Sequence, residues 1–250
     1  MYCELKWGKK MIFDEFEFTN QGGRSDNEDS VGSKCFGECG IFVVADGLGG
    51  HCFGKEASEC VVETVIGGWN QDSENRQEWL TEQFAEANRR VLTLQQEKKT
   101  ALKSTAVALA VDGEKAVWAN IGDSRLYYLH GSVIYSCTQD HSVSYKKYKA
   151  GEITREQIGQ DEDQSCLLRV IGSEERSEPD VHICDVPLEA GDAFLLCSDG
   201  AWEYLKDEEI LIDMLKAENA RKWAELLLLR IMKRIGEGND NLTLLTLMLK

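Results

Sequence analysis

Proline is almost missing from this chain, with Pro179 and Pro187 the only two in 250 residues. Linkers rich in Ser and Gly, internal repeats and low-complexity tracts are missing as well. Nothing in the composition divides the chain, and one domain over residues 1–250 is expected. Long apolar runs are also absent. No stretch approaches the ~18 residues of a membrane span, and the start of the chain, Met1 to Trp7, has no signal-peptide core. Positive charge is short: 28 Lys and Arg stand against 44 Asp and Glu, a net charge of −16. Such a chain repels nucleic-acid phosphates and anionic membranes, which excludes both as expected partners. Histidine is scarce, at four residues, and the nine cysteines contain no CxxC pair. Cys35 and Cys39 come nearest, with no further ligand beside them, so a zinc site is not expected. The cysteines read as reduced thiols in a cytoplasmic, monomeric protein.

What is present is enough apolar material for a large core: 42% of residues, with six Trp and eight Phe. Strand-like runs are expected at Met11–Phe18, Gly40–Ala45, Thr105–Val111, Ala116–Ile121, Arg125–His130, Ser132–Ser136, Val181–Val186, Ala193–Cys197 and Leu242–Leu249. Asp112-Gly113-Glu114 and His130-Gly131 read as tight hairpin turns, and successive hairpins imply antiparallel pairing. Helical periodicity is expected over Cys60–Trp69, Glu78–Gln96 and Ala220–Ile235. Their apolar stripes face the core and carry no chemistry. Hairpins with amphipathic helices before and after them make an α+β layered sandwich. The more polar Ser142–Glu162 is expected to form a surface excursion with short helices.

Five acidic motifs share one design, a carboxylate beside Gly or a turn, mostly at the end of an apolar strand. They are Gly23-Arg24-Ser25-Asp26-Asn27-Glu28-Asp29, Asp46-Gly47-Leu48-Gly49-Gly50, Gly122-Asp123-Ser124-Arg125, Ser198-Asp199-Gly200 and Gly238-Asn239-Asp240-Asn241. An Asp held at the rim of a core needs a partner or a cation, because burying it alone is costly. A following Gly is expected to let the chain turn and bring a carbonyl to the same ion. Hard divalent cations take such oxygen ligands and need neither His nor Cys. One Asp-Gly is an ordinary turn, but five such motifs in one chain are not.

The ordered series resembles the metal-dependent protein phosphatases of type 2C, the PPM family, from about Phe16 to Leu249. Asp46-Gly47-Leu48-Gly49-Gly50-His51 and Asp140-His141-Ser142, followed by Ala150 to Thr154, are similar to bacterial members. The resemblance implies a four-layer α-β-β-α sandwich of two antiparallel sheets flanked by helices, with a catalytic core over about 16–249 and a flap over about 141–166. It implies serine/threonine phosphatase activity with two Mn2+ or Mg2+ ions. Asp46 would bridge them, with the Gly47 carbonyl on one. Glu28 or Asp29 would complete one side, mainly through water, and Asp199 with Asp240 the other. Asp123 would join Asp199 at a third ion, and Arg24 would grip the substrate phosphate. A water activated by two cations would then attack phosphorus in line, with no phosphoenzyme. The implied partners are phosphorylated proteins and the serine/threonine kinase that produces them.

Two features depart from the family pattern. Leu48 stands where eukaryotic members carry a proton-donating His, and residues 158–169 hold less Pro and Arg than a bacterial flap usually does. His51 reads as a hydrogen-bonded structural residue of a Gly-rich turn. Two other functions compete. Gly49 to Lys55 fits the GxxxxGK pattern of a P-loop, but Glu56 occupies the place of the Ser or Thr that would reach Mg2+. A catalytically silent sensor or scaffold on a phosphatase fold is the other, and the complete carboxylate set argues against it.

Overall fold

Alternation within one strand sets the layering. In Cys39–Gly49 (β3), Ile41, Val43 and Ala45 join a core shared with helices, while Phe42 and Val44 join a core shared with a second sheet. A strand buried on both faces must lie in an inner layer. The structure, a computed structural model, describes residues 11–49, 53–71, 73 and 75–250.

One antiparallel sheet runs β1-β11-β10-β7-β8, built from Phe13–Asn20 (β1), Arg125–His130 (β7), Val133–Cys137 (β8), Ala193–Cys197 (β10) and Leu242–Leu249 (β11). The other runs β2-β3-β5-β6-β9, from Asp29–Phe36 (β2), Ala106–Asp112 (β5), Lys115–Ile121 (β6) and Asp180–Ile183 (β9) beside β3. The short Leu102–Ser104 (β4) pairs with the end of β3. Between the sheets lie Phe42, Val44, Leu109, Leu126, Tyr128, Phe194, Leu196, Leu245 and Leu247, all fully buried. Phe53–Gly67 (α1) and Arg76–Lys98 (α2) cover the second sheet through Val61, Val65, Trp79, Leu80 and Phe84. Asp207–Lys216 (α5) and Ala220–Ile231 (α6) cover the first through Ile210, Met214, Trp223 and Leu227. This is the expected four-layer α-β-β-α sandwich.

The differences from expectation have local causes. β2 was not expected, since Asp-Ser-Val-Gly-Ser-Lys-Cys-Phe has no apolar alternation and becomes exposed towards its end. Its place comes from pairing with β3 and from Gly32 lying against Val62 and Ile66 of α1. α5 has no clear apolar stripe in the sequence because its buried face includes Asp213, whose charge is matched by Arg230 at 2.8 Å. α1 begins seven residues before the expected helix. The polar excursion holds Val143–Ala150 (α3) and a 3-10 turn at Arg155–Gln160. It is tied down by Lys147 to Asp161 at 2.9 Å and by Gln164 to Glu203 at 2.8 Å. His51, the start of the chain and part of the GxxxxGK stretch lie outside the described residues. Among the described residues all seven cysteines are free, and no helix is long and apolar enough to cross a membrane.

Candidate metal centre

The five acidic motifs come from five separate places in the chain and meet at one end of the sandwich. Asp46 lies inside β3, opposite Asp29 at the start of β2, so the two side chains share a face of the sheet. Asp123 sits in the β6–β7 connection, Asp199 opens the short helix Asp199–Trp202 (α4) directly after β10, and Asp240 precedes β11. A cleft of about 610 Å3 opens there, lined by Arg24, Asp26, Glu28, Asp46, Gly47, Leu48, Asp123, Asp199 and Asp240, with Ser165 and Leu167 on the side of the excursion. Asp29 does not line it. Buried to 1% exposure, it lies beneath the floor, where Ser198 Oγ donates to its Oδ2 at 2.7 Å.

The glycines have a different role from the one expected. Neither Gly47 nor Gly200 takes a positive φ, so neither makes a sharp turn. They permit close approach instead: a Cβ on Gly47 would fall 2.0 Å from the Gly54 carbonyl oxygen, and one on Gly200 would fall 2.0 Å from that of Asn241. Gly54 completes the arrangement from α1. A Cβ there would lie 2.6 Å from the Gly47 carbonyl oxygen and 2.7 Å from the Glu28 carboxyl carbon, which brings those two oxygen donors together. The Gly54 amide donates to Glu28 Oε1 at 3.0 Å, using the helix N-terminus to aim the carboxylate. Lys55 turns inward, its Nζ donating to the Asp29 carbonyl at 2.7 Å. Gly54 and Lys55 therefore serve the carboxylate floor, which disposes of the P-loop reading.

Electrostatically the cleft is uncompensated. Among the described residues six carboxylates line it against one cationic side chain, Arg24, whose Nη2 lies 2.7 Å from Asp240 Oδ2. Burial pushes the Asp29 carboxyl up to about 6 and that of Asp123 up to about 7, with Asp140 adding to the latter. Asp46 and Asp199 are raised well above the ordinary carboxylate range, first by burial and then by the carboxylates around them. Asp29 Oδ1 is buried with no hydrogen-bond donor. Among the described residues no three His, Cys, Asp or Glu side chains close on a common point tightly enough to hold an ion by themselves. The fit to cations therefore rests on the unmatched negative charge, the orphaned Asp29 oxygen and a donor set made wholly of oxygen. Such a set suits hard ions that keep part of their water shell.

Sequence reading missed three contributors. Glu203, one helical turn beyond Asp199, is pushed up to about 7 by burial and by Asp240. The i, i+4 spacing after a strand-end Asp was its only signal. Asn241 is the hub of the rim: its Oδ1 accepts from the Glu28 amide at 2.7 Å, and its Nδ2 donates to the carbonyls of Gln21 and Asp26, both at 2.8 Å. Trp202 Nε1 donates to the Asp123 carbonyl at 2.9 Å, and the buried Arg125 lies 3.5 Å over its ring while pairing with Asp140. Nothing in the spacing of those residues announces their contact.

A two-sheet sandwich with an uncompensated carboxylate cleft and one arginine at its mouth defines a metal-dependent phosphatase of the α-β-β-α class. The family model described as Protein phosphatase 2C matches residues 21–227, and the chain belongs to that family. It is 31% identical over 212 residues to the serine/threonine phosphatase stp of Listeria welshimeri, covering 82% of each chain. Among solved structures it is similar to the serine/threonine phosphatase Stp1 of Staphylococcus aureus, with 26% identity, a TM-score of 0.84 and coverage of 100% and 99% of the two chains. It is also similar to the catalytic domain of the serine threonine protein phosphatase PstP in complex with 2 manganese ions, with 25% identity, a TM-score of 0.80 and coverage of 96% and 99%.

Proposed function

We propose that this chain hydrolyses phosphoserine and phosphothreonine in proteins, using water at a binuclear Mn2+ or Mg2+ centre. The observation that carries the proposal is the convergence of Glu28, Asp46, Asp123, Asp199 and Asp240 on one cleft, with Arg24 the only Lys or Arg among the described residues that line it. In this reading Asp46 would be shared between the ions, the Gly47 carbonyl and Glu28 would hold one side, with Asp29 behind them, and Asp199 and Asp240 would hold the other. Asp123 extends the set towards Asp199, where a third ion would sit, and Glu203 adds to the negative charge there. Bound divalent cations supply Lewis acidity, making water nucleophilic near neutral pH and offsetting charge on the phosphoryl oxygens.

The chain's own residues do the rest. Without cations, six carboxylates repel a phosphate dianion, so metal loading must precede substrate. Arg24, held by Asp240 in the free chain, swings its guanidinium to the phosphate and forms a two-pronged, charge-assisted contact. Leu48 brings no titratable group to the cleft, so a proton for the leaving oxygen comes from elsewhere. Ser165 and Leu167 place the base of the excursion against the substrate side, which supports treating residues 141–166 as a flap on a single domain with its catalytic core over about 16–249. The same reading makes the enzyme a cytoplasmic monomer opposing a serine/threonine kinase.

The test is hydrolysis of a phosphothreonine peptide by the purified chain in Mn2+ and then in EDTA. Metal-dependent, EDTA-sensitive phosphate release is expected. No release at any Mn2+ concentration would overturn the reading in favour of a silent sensor.

A further inference from the structure

Asp46 stands at a break in its sheet. β3 pairs with β5 as far as Val44 opposite Val107, and with β4 from Gly47 opposite Ser104, so Asp46 falls between the two partners. Its carbonyl accepts from the Thr105 amide at 2.8 Å and from Ser104 Oγ at 3.0 Å. Its amide, which in an unbroken ladder would find a backbone carbonyl, donates instead to Thr105 Oγ1 at 3.1 Å. That hydroxyl has a second partner: Ser124 Oγ lies 2.7 Å away, and both residues are buried. The Thr105 side chain also presses on the turn that carries Asp123. Gly122 has φ +90° there, and a Cβ on it would fall 2.6 Å from both Thr105 Cβ and Cγ2.

One small side chain thus touches the backbone of Asp46 on one side and, on the other, the residues either side of Asp123. We infer that Thr105 is a positioning residue whose hydroxyl, backed by Ser124, fixes the Asp46 and Asp123 carboxylates relative to each other so that they bind divalent cations as one unit. The inference rests on the phosphatase reading above. A buried amide without an acceptor is costly, so loss of the hydroxyl lets the Asp46 backbone shift to find water or another oxygen. Loss of the methyl alone leaves the hydrogen bonds in place.

The experiment compares the full-length parent with Thr105→Val, Thr105→Ser and Ser124→Ala by calorimetric titration with Mn2+. Hydrogen exchange of the Asp46 amide in EDTA gives a second readout that needs no metal. Thr105→Val, which keeps the shape and loses the hydroxyl, is expected to weaken Mn2+ binding by about 10–100-fold, as outer-shell losses do, and to speed exchange at Asp46. Thr105→Ser is expected to restore both. Ser124→Ala is expected to fall between, and the Thr105→Val/Ser124→Ala double variant to bind no more weakly than Thr105→Val alone. Parent-like Mn2+ binding by Thr105→Val would overturn the inference, as would a loss in Thr105→Ser as large as in Thr105→Val, because packing would then explain it. Should Thr105→Val not fold, Ser124→Ala decides, and unchanged Mn2+ affinity there overturns the inference. A parent chain that binds no Mn2+ would overturn the phosphatase reading and this inference together, whereas parental binding that Thr105→Val leaves intact removes only the inference.

Discussion

Strand β10 has an aspartate at each of its ends, one buried and one half-buried, and the two are treated in opposite ways. Asp192, just before the strand, is 3% exposed and fully provided with partners: Tyr128 Oη donates to it at 2.9 Å, His130 Nδ1 lies at 2.8 Å, and the Glu189 amide donates at 2.9 Å. Asp199, just after the strand, accepts from the neighbouring Gly200 amide and otherwise faces Asp123, Glu203, Asp240 and Asp29. The body of the protein repeats the first pattern, with Asp140 on Arg125 and Asp213 on Arg230. At the cleft, among the described residues, six carboxylates are gathered against one arginine and a few single donors. An aspartate that serves the fold finds its donors within the chain, and one that serves the chemistry leaves its charge to be met from solution.

The comparison breaks most visibly on exchanging charge for amide. Asp46→Asn is expected to lower phosphothreonine-peptide turnover by at least about 10²–10³-fold, the scale of removing one preorganised electrostatic group. In EDTA the same variant should melt higher than the parent, because a repelled buried charge is gone. Retained turnover, or a lower melting temperature in EDTA, would contradict the assignment. Asp192→Ala should do the reverse. It leaves Tyr128 and His130 unmatched and is expected to cost about 2–3 kcal/mol in urea unfolding, with turnover in Mn2+ unchanged below the transition. A smaller effect is expected at the mouth of the cleft. Arg24→Lys keeps the charge but loses the planar fork, and about a tenfold rise in KM with little change in kcat would mark the loss of one charge-assisted contact. A fall in kcat with KM unchanged would instead place Arg24 at the reacting phosphoryl group only in the transition state.

How far the sequence disclosed this difference depends on how local each cause is. The carboxylates were legible because each stands in a short motif beside an apolar run, and alternation along β3 and β10 made the inner strands plain. Their directions were less legible. Glu28 and Asp29 are adjacent, and only the pairing of Asp29 with Asp46 puts one in the cleft and the other beneath it. The glycines look like turn residues in the sequence, whereas Gly47 and Gly200 answer to backbone from α1 and from the β11 approach, more than five and forty residues away. β2 and α5 were invisible for the same reason, being held by contacts to β3 and to Arg230 and not by their own periodicity. Asn241, Thr105 and Ser124 carry ordinary polar side chains whose importance lies wholly in what the fold places opposite them.

The gentlest way to sharpen the comparison is to titrate it. Burial holds Asp29 at about 6, Asp123 at about 7 and Glu203 at about 7 in the folded, metal-free chain, against about 4 in an unfolded one. Between those values the folded state keeps protons that the unfolded state has released. Raised carboxylates therefore stabilise the fold below about pH 4, and that contribution is lost as pH climbs through about 6 to 7. The melting temperature in EDTA is expected to fall from pH 5 to pH 7.5. Cations compete with the same protons, so the rise on adding Mn2+ should be small at pH 5 and largest at pH 7.5. Asp123→Asn and Glu203→Gln should each flatten the fall in EDTA. A slope in EDTA that neither Asp123→Asn nor Glu203→Gln changes would mean that the cleft carboxylates have found partners within the chain, and the contrast between the two ends of β10 would disappear.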